Sequence, residues 1–169
     1  MKKLSTLAAG LIAMLCSTTN TFAQVTVTAN ATATIVTPIS ITKTADMNFG
    51  NVAVQSSTAG TVVLATDNSR TQTGGVTLPA TTGTVSAAIF TVNGESAYTY
   101  TVTLPSSLTI SNSSINMTIN AFSSTPSGTG TLSSGSQTLK VGATLNVAAA
   151  QAAGTYTSTT PFNVTVNYN

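Results

Sequence analysis

The 169-residue chain has no histidine, no tryptophan, one cysteine, and charged side chains at only 5% of positions. An ordinary soluble domain carries about 25% charged residues. Without histidine, imidazole acid–base catalysis, the usual serine and cysteine triads and histidine-ligated zinc are all excluded. A lone thiol, Cys16, forms neither an intrachain disulfide nor a thiolate cluster. Hydroxyl groups fill the gap, with 20 Ser and 36 Thr, or 56 positions together. The length suits one domain, and so poor a reactive inventory argues against an enzyme or a bound cofactor.

The opening residues read as an address. Lys2 and Lys3 precede a mostly apolar stretch, Leu4 to Cys16, and Thr21-Phe22-Ala23 has the small-x-small form of a secretory cleavage site. Residues 1–23 are expected to be removed between Ala23 and Gln24. That leaves 24–169 as a single exported domain, bound for the periplasm, the cell surface or the medium. The apolar stretch is shorter than the roughly 20 residues of a membrane span. No second one follows, so no transmembrane segment is expected in 24–169. Cys16 follows Ala13-Met14-Leu15, not the small residues of a lipoprotein signal, and belongs to the leader. Beyond the leader, Lys43, Arg70 and Lys140 face Asp46, Asp67 and Glu95, three against three, so the formal charge of +2 falls to zero. Without a basic cluster to follow phosphates, no nucleic-acid partner is expected.

From Val25 onward the apolar period is two. Val25, Val27, Ala29, Ala31, Ala33 and Ile35 alternate with threonine and asparagine, the pattern of a strand with one dry face. Ile39 and Ile41 continue it past Pro38, and Met47-Asn48-Phe49-Gly50 reads as a short strand ending at a turn. Further strands are predicted at Thr61–Ala65, Val76–Leu78, Val85–Val92, Ala97–Leu104, Leu108–Ile110, Ile115–Phe122, Thr138–Val141, Thr144–Val147 and Phe162–Tyr168. Asn93-Gly94, between two alternating runs, predicts a hairpin. Ser123 to Ser136, the longest polar stretch, is expected to be a mobile loop. The alanine-rich Val147–Ala153 allows one helical turn. Many short strands with turn chemistry between them predict an all-β sandwich or barrel, with a parallel β-helix as the other fold considered.

The three acids beyond the leader are at least 21 residues apart in sequence and occupy loop-like positions. That spacing supports neither a carboxylate pair for hydrolysis nor a calcium site, and no metal is expected. Leu78-Pro79-Ala80-Thr81-Thr82-Gly83 is one threonine away from a sortase pentapeptide and lacks the tail that follows one. Asn-x-Ser/Thr triplets at Asn30, Asn112, Asn116 and Asn163 are chance products of a threonine-rich chain. No spacing favours an isopeptide link from Lys43 or Lys140. The C-terminal run is more informative. Phe162, Val164, Val166 and the penultimate Tyr168 form an uncharged strand, whereas edge strands are usually blunted with charge or proline. At the other end, Val25–Ile35 is long for one strand of a small sandwich, about 36 Å fully extended.

Those C-terminal residues, with Gly154 and Tyr156 upstream, resemble the terminal strand motif of chaperone–usher pilins, although the glycine lies farther from the end. Gln24–Val36, Asn48-Phe49-Gly50, Lys140-Val141-Gly142 and Gly154-Thr155-Tyr156 resemble a secreted bacterial domain-of-unknown-function family, number forty-four-oh-two. That family is similar in style to spore-coat-U-like and cysteine-free fimbrial subunits. The resemblance implies an immunoglobulin-like, pilin-like antiparallel β-sandwich lacking one strand. Pilin subunits receive that strand first from a periplasmic chaperone and then, at an outer-membrane usher, from the next subunit. On that pattern Gln24–Val36 is a donor extension with Val25, Val27, Ala29, Ala31 and Ala33 as plugs. Phe162, Val164, Val166 and Tyr168 line the accepting side. The expected product is a non-enzymatic subunit of a homo-oligomeric surface fibre or coat. The alternative is a self-complete periplasmic or surface binding module whose N-terminal strand closes its own sandwich.

Overall fold

The structure is a computed structural model and describes residues 23–169, so all of the leader expected over 1–23 except Ala23 lies outside the described residues. The chain divides into residues up to Thr34 and a unit Ile35–Asn169. From residue 23 to Thr34 no strand forms and every side chain is exposed, Val25 at 84% and Val27 at 85%. The alternation there had predicted a strand with a dry face. Alternation specifies which face dries once a neighbour is paired, and it does not supply the neighbour.

Every regular element among the described residues is a strand. Ile35–Asn169 carries β1 (Ser40–Ala45), β2 (Ala53–Val54), β3 (Gly60–Leu64), β4 (Arg70–Gly74), β5 (Val76–Thr77), β6 (Ala88–Asn93), β7 (Thr99–Thr103), β8 (Ser107–Asn112), β9 (Ile115–Thr125), β10 (Thr129–Thr131), β11 (Ser136–Val147), β12 (Thr157–Ser158) and β13 (Thr165–Tyr168). All pairings are antiparallel. One sheet has the order β1-β6-β11-β9-β8-β12, a second the order β10-β7-β13, and β2 pairs with β5. The result is an antiparallel all-β sandwich.

The long β11 is its spine. Along one edge Ser136–Val141 pairs with β6, and Ala143–Val147 pairs with β3, which carries β4 outside it. Gly142 stands at the handover, where a Cβ would come within 2.3 Å of the Leu64 carbonyl oxygen. The runs Thr138–Val141 and Thr144–Val147, predicted as two strands, are therefore one. The odd-numbered residues of β11 from Leu139 to Val147 are buried, as period-two packing requires.

Two apolar clusters fill the sandwich. In one, Val92, Leu139 and Val141 of the first sheet meet Tyr100 and Val166 of the second, with Leu132 beside them. This half is sealed: Val92, Tyr100, Leu132, Leu139 and Val141 are all fully buried. The Tyr100 hydroxyl donates to Gln137 Oε1 at 2.9 Å, and burial pushes its pKa above the ordinary tyrosine value. In the other, Val62, Leu64, Ile119, Leu145 and Val147 pack with Phe49 and Val76. Met47, Val52, Val54, Leu108, Ile110 and Met117 around them are only half-buried.

Three local expectations are corrected. Asn93-Gly94 is not a hairpin turn, because β6 pairs with β1 and β11 while β7 pairs with β10 and β13. The dipeptide begins a crossover between sheets, which the same flanking alternation accommodates. Ser123–Ser136 is not one loop: β9 runs through Thr125, β10 lies inside the stretch and β11 starts at Ser136. Polar strands facing solvent carry no apolar period to reveal them. Ala148–Gln151 forms a turn with Ala150 at a φ of 52°, not a helix.

Candidate functional site

The half-buried side chains around the second cluster border a groove of about 980 Å³. Its floor comes from four strands of the large sheet: Ala88 and Phe90 of β6, Leu108 and Ile110 of β8, Met117 and Ile119 of β9, and Leu145 and Val147 of β11. Strand alternation alone puts these side chains on one face. Over the sealed half that face is covered by β10, β7 and β13. Here it is flanked by Asp46–Val54 on one side and Gln151–Phe162 on the other, segments with little strand structure.

The first wall is held by polar chemistry. The Arg70 guanidinium reaches from β4 to donate to the Phe49 carbonyl at 2.5 Å and the Asn51 carbonyl at 3.0 Å. Asn48 Oδ1 accepts the Gly50 N–H at 2.8 Å, and the backbones of Asn48 and Ser86 exchange two hydrogen bonds. The predicted strand Met47–Gly50 is thus a single bridge. In the second wall the Tyr156 hydroxyl donates to the Ala152 carbonyl at 2.8 Å and accepts from Gln151 Nε2 at 2.9 Å. At the mouth Lys43 and Asp46 form an ion pair of 2.7 Å. Both are well exposed, so the pair contributes little stability.

Each of the acids Asp46, Asp67 and Glu95 has a partner of its own, Lys43, Ser69 and Thr37 respectively. Asp67 accepts the Ser69 hydroxyl and the Ser69 N–H, which hold its carboxyl below the usual range. Glu95 accepts the Thr37 N–H at 2.9 Å, with the same consequence. Asp67 thus holds its own turn, and Glu95 ties the crossover after β6 to the chain ahead of β1. Among the described residues no group of three His, Cys, Asp or Glu side chains is placed to hold a metal ion, and no helix is long and apolar enough to cross a membrane.

The residues singled out from the sequence are distributed unevenly. Phe162 lines the groove, with its ring 6.4 Å from that of Phe90 and 5.2 Å from that of Phe122. Val164, Val166 and Tyr168 pack in the sealed cluster, where Val166 is buried. Among the described residues β13 pairs only with β7, so no described strand lies along its other edge. Ala23, Gln24, Val25, Val27, Ala29, Ala31 and Ala33 are all exposed. Sequence reasoning missed the groove floor, Leu108, Ile110, Met117, Leu145 and Val147. Their alternation was visible, but nothing in it tells a covered face from an uncovered one.

A family model described as Domain of unknown function (DUF4402) matches residues 39–168, a stretch that contains every strand and the whole groove. No curated protein and no solved structure matches the chain.

Proposed function

The chain belongs to the family described as Domain of unknown function (DUF4402), and from that premise we propose that it is an exported, non-enzymatic structural subunit that assembles into a surface fibre or coat by strand donation. The observation that carries this reading is the open groove. Eight apolar or small side chains floor a groove of about 980 Å³, with Ala88, Ile119, Leu145 and Val147 buried and Phe90, Leu108, Ile110 and Met117 half-buried, and among the described residues β13 pairs along one edge only. A concave, mostly apolar groove is the usual form of a binding site.

Strand order supports the same reading. An immunoglobulin sandwich sets strands A-B-E-D against C-F-G. Here β1-β6-β11-β9 follows the A-B-E-D order and β7-β13 the C-F order. The position beside β13, where G would lie, holds no strand among the described residues. An added strand there would gain backbone hydrogen bonds from the free edge, while alternate side chains enter the groove. The segment Gln24–Val36 has the required chemistry: apolar side chains at every second position, no charge, and Val25 and Val27 exposed. In this reading Val25 and Val27 are the large plugs, Ala29, Ala31 and Ala33 fill the narrow positions, and a second copy provides the groove. A periplasmic chaperone and an outer-membrane usher are the partners that such an assembly route employs.

The test is the double substitution Val25→Asp and Val27→Asp in residues 24–169. Both positions are exposed, so the fold is expected to survive with an unchanged Tm. Burying one valine contributes about 1.5 kcal/mol or more, so losing both plugs should weaken association at least a hundredfold. Oligomers that persist unchanged in this variant would contradict the proposal.

A further inference from the structure

The two walls of the groove are attached to the sandwich very differently. Asp46–Val54 is tied in along its length. Arg70 holds the Phe49 and Asn51 carbonyls, and the backbones of Asn48 and Ser86 exchange two hydrogen bonds. Asn51 donates its N–H to the Thr82 carbonyl at 2.7 Å and its Nδ2 to the Thr81 carbonyl at 3.0 Å. Ala53 and Val54 then pair with β5, and Phe49 is itself buried.

Gln151–Phe162 has fewer ties. Among the described residues, the hydrogen bonds that join Ala152–Pro161 to the rest of the sandwich are those of β12 with β8, where Thr157 faces Ser111 and Ser158 faces Ile110. The bonds of the Tyr156 hydroxyl, to Ala152 and Gln151, stay inside the segment. Every residue from Ala152 to Pro161 is exposed except Tyr156. The ends are fixed: the Ala150 N–H donates to the Gln55 carbonyl at 3.0 Å, and the Phe162 ring packs against Phe90 and Phe122. Between them Gly154 has a φ of 147°, open to glycine and to few other residues. A Cβ there would overlap Asn112 Nδ2 at the end of β8.

A short ladder and few buried contacts put a segment at the low end of local stability. Yet the floor behind it is partly dry. Ala88, Ile119, Leu145 and Val147 are buried although irregular segments flank them. An occupant that reaches Ile119 or Leu145 must part the walls.

We infer that Gln151–Phe162 is a hinged gate on the groove, closed by β12 on the edge of β8 and stiffened by Tyr156, and that it opens while Asp46–Val54 stays in place. Its role in admitting a donor strand rests on the strand-donation reading, whereas the opening itself does not. Tyr156 and Gly154 are positioning residues that set how readily the gate leaves β8.

Residues 24–169 contain no cysteine, so one introduced thiol can report the opening. Ile119→Cys places it on the groove floor, with Leu145→Cys as a second reporter, and Val92→Cys places it in the sealed cluster as the control. Each is combined with Tyr156→Phe, which removes both hydroxyl bonds, or with Gly154→Ala, which pushes the segment off Asn112. Labelling of the floor thiols by dithiobis(nitrobenzoate) is expected to quicken roughly tenfold, the scale of one net hydrogen bond, with labelling of V92C unchanged. Amide exchange should quicken over 151–158 and stay as in wild type over 47–54. Floor labelling unchanged in both gate variants would overturn the gate. Equal acceleration at V92C would overturn it too, since the whole domain would then be opening. Faster exchange over 47–54 alone would show the other wall to be the mobile one. A peptide copying Gln24–Val36 should associate faster with Y156F than with wild type. Faster floor labelling without peptide uptake by either protein would uphold the gate and contradict strand donation.

Discussion

The two halves of the sandwich share β11 and differ in what covers them. In one, β10, β7 and β13 lie across β6 and β11, and five large side chains are fully buried. In the other, β8, β9 and the second half of β11 offer an equally apolar face, yet only irregular segments flank it and Leu108, Ile110 and Met117 stay half-exposed. One sequence pattern thus yields a core in one place and a groove in the other. Both halves contain core side chains, Val62 and Leu64 being fully buried in the second, but only the second has a half-buried floor. The open half is where assembly takes place in the reading proposed above.

Substitutions should separate these roles. Leu139→Ala empties a fully buried position and is expected to cost about 3 kcal/mol, read as a lower denaturation midpoint at constant m. Ile110→Ala, half-exposed in the groove, should cost about 1 kcal/mol yet weaken uptake of a Gln24–Val36 peptide, which L139A should not. A reversal of those two patterns would erase the distinction between the halves. The peptide itself should stabilise the domain by about 2.7 kcal/mol at a hundredfold excess over its Kd. The gain should appear as slower amide exchange in β8 and β9, not in β7.

Smaller effects test the groove wall and the surface acids. Arg70→Ala releases the carbonyls of Phe49 and Asn51. It should destabilise by about 1 to 2 kcal/mol, with faster exchange over 47–54 as the specific sign. Hydrogen bonds lower the carboxyl pKa values of both Asp67 and Glu95. A depressed carboxyl contributes stability that is complete above the ordinary carboxylate range, about pH 4, and is lost as pH falls through the folded-state value. The double variant Asp67→Asn, Glu95→Gln is therefore expected to show a smaller drop in Tm between pH 7 and pH 3 than wild type. The difference is slight, since Asp67 is exposed and Glu95 only partly shielded from solvent.

Much of the sandwich was legible because β3, β6, β7, β8, β9, β11 and β13 alternate apolar and polar side chains over a buried face. β4 was not legible, since Arg70–Gly74 has no apolar residue and is held only by β3. β2, β10 and β12 are too short to carry a period. Asn93-Gly94 misled because a dipeptide that favours a tight turn serves a close approach equally well, here to Tyr168. Phe162 was found at the groove through the C-terminal pattern. The residues just after it, Val164, Val166 and Tyr168, were legible as strand but not as members of the sealed cluster. Cover is a tertiary property, and so the groove floor could not be read locally.

The most direct measurement is the mass of purified Gln24–Asn169 by light scattering, alone and with the Gln24–Val36 peptide. Strand donation into the open half predicts oligomers that the peptide caps or dissolves into single domains carrying one peptide each. A stable monomer that leaves the peptide free would contradict it.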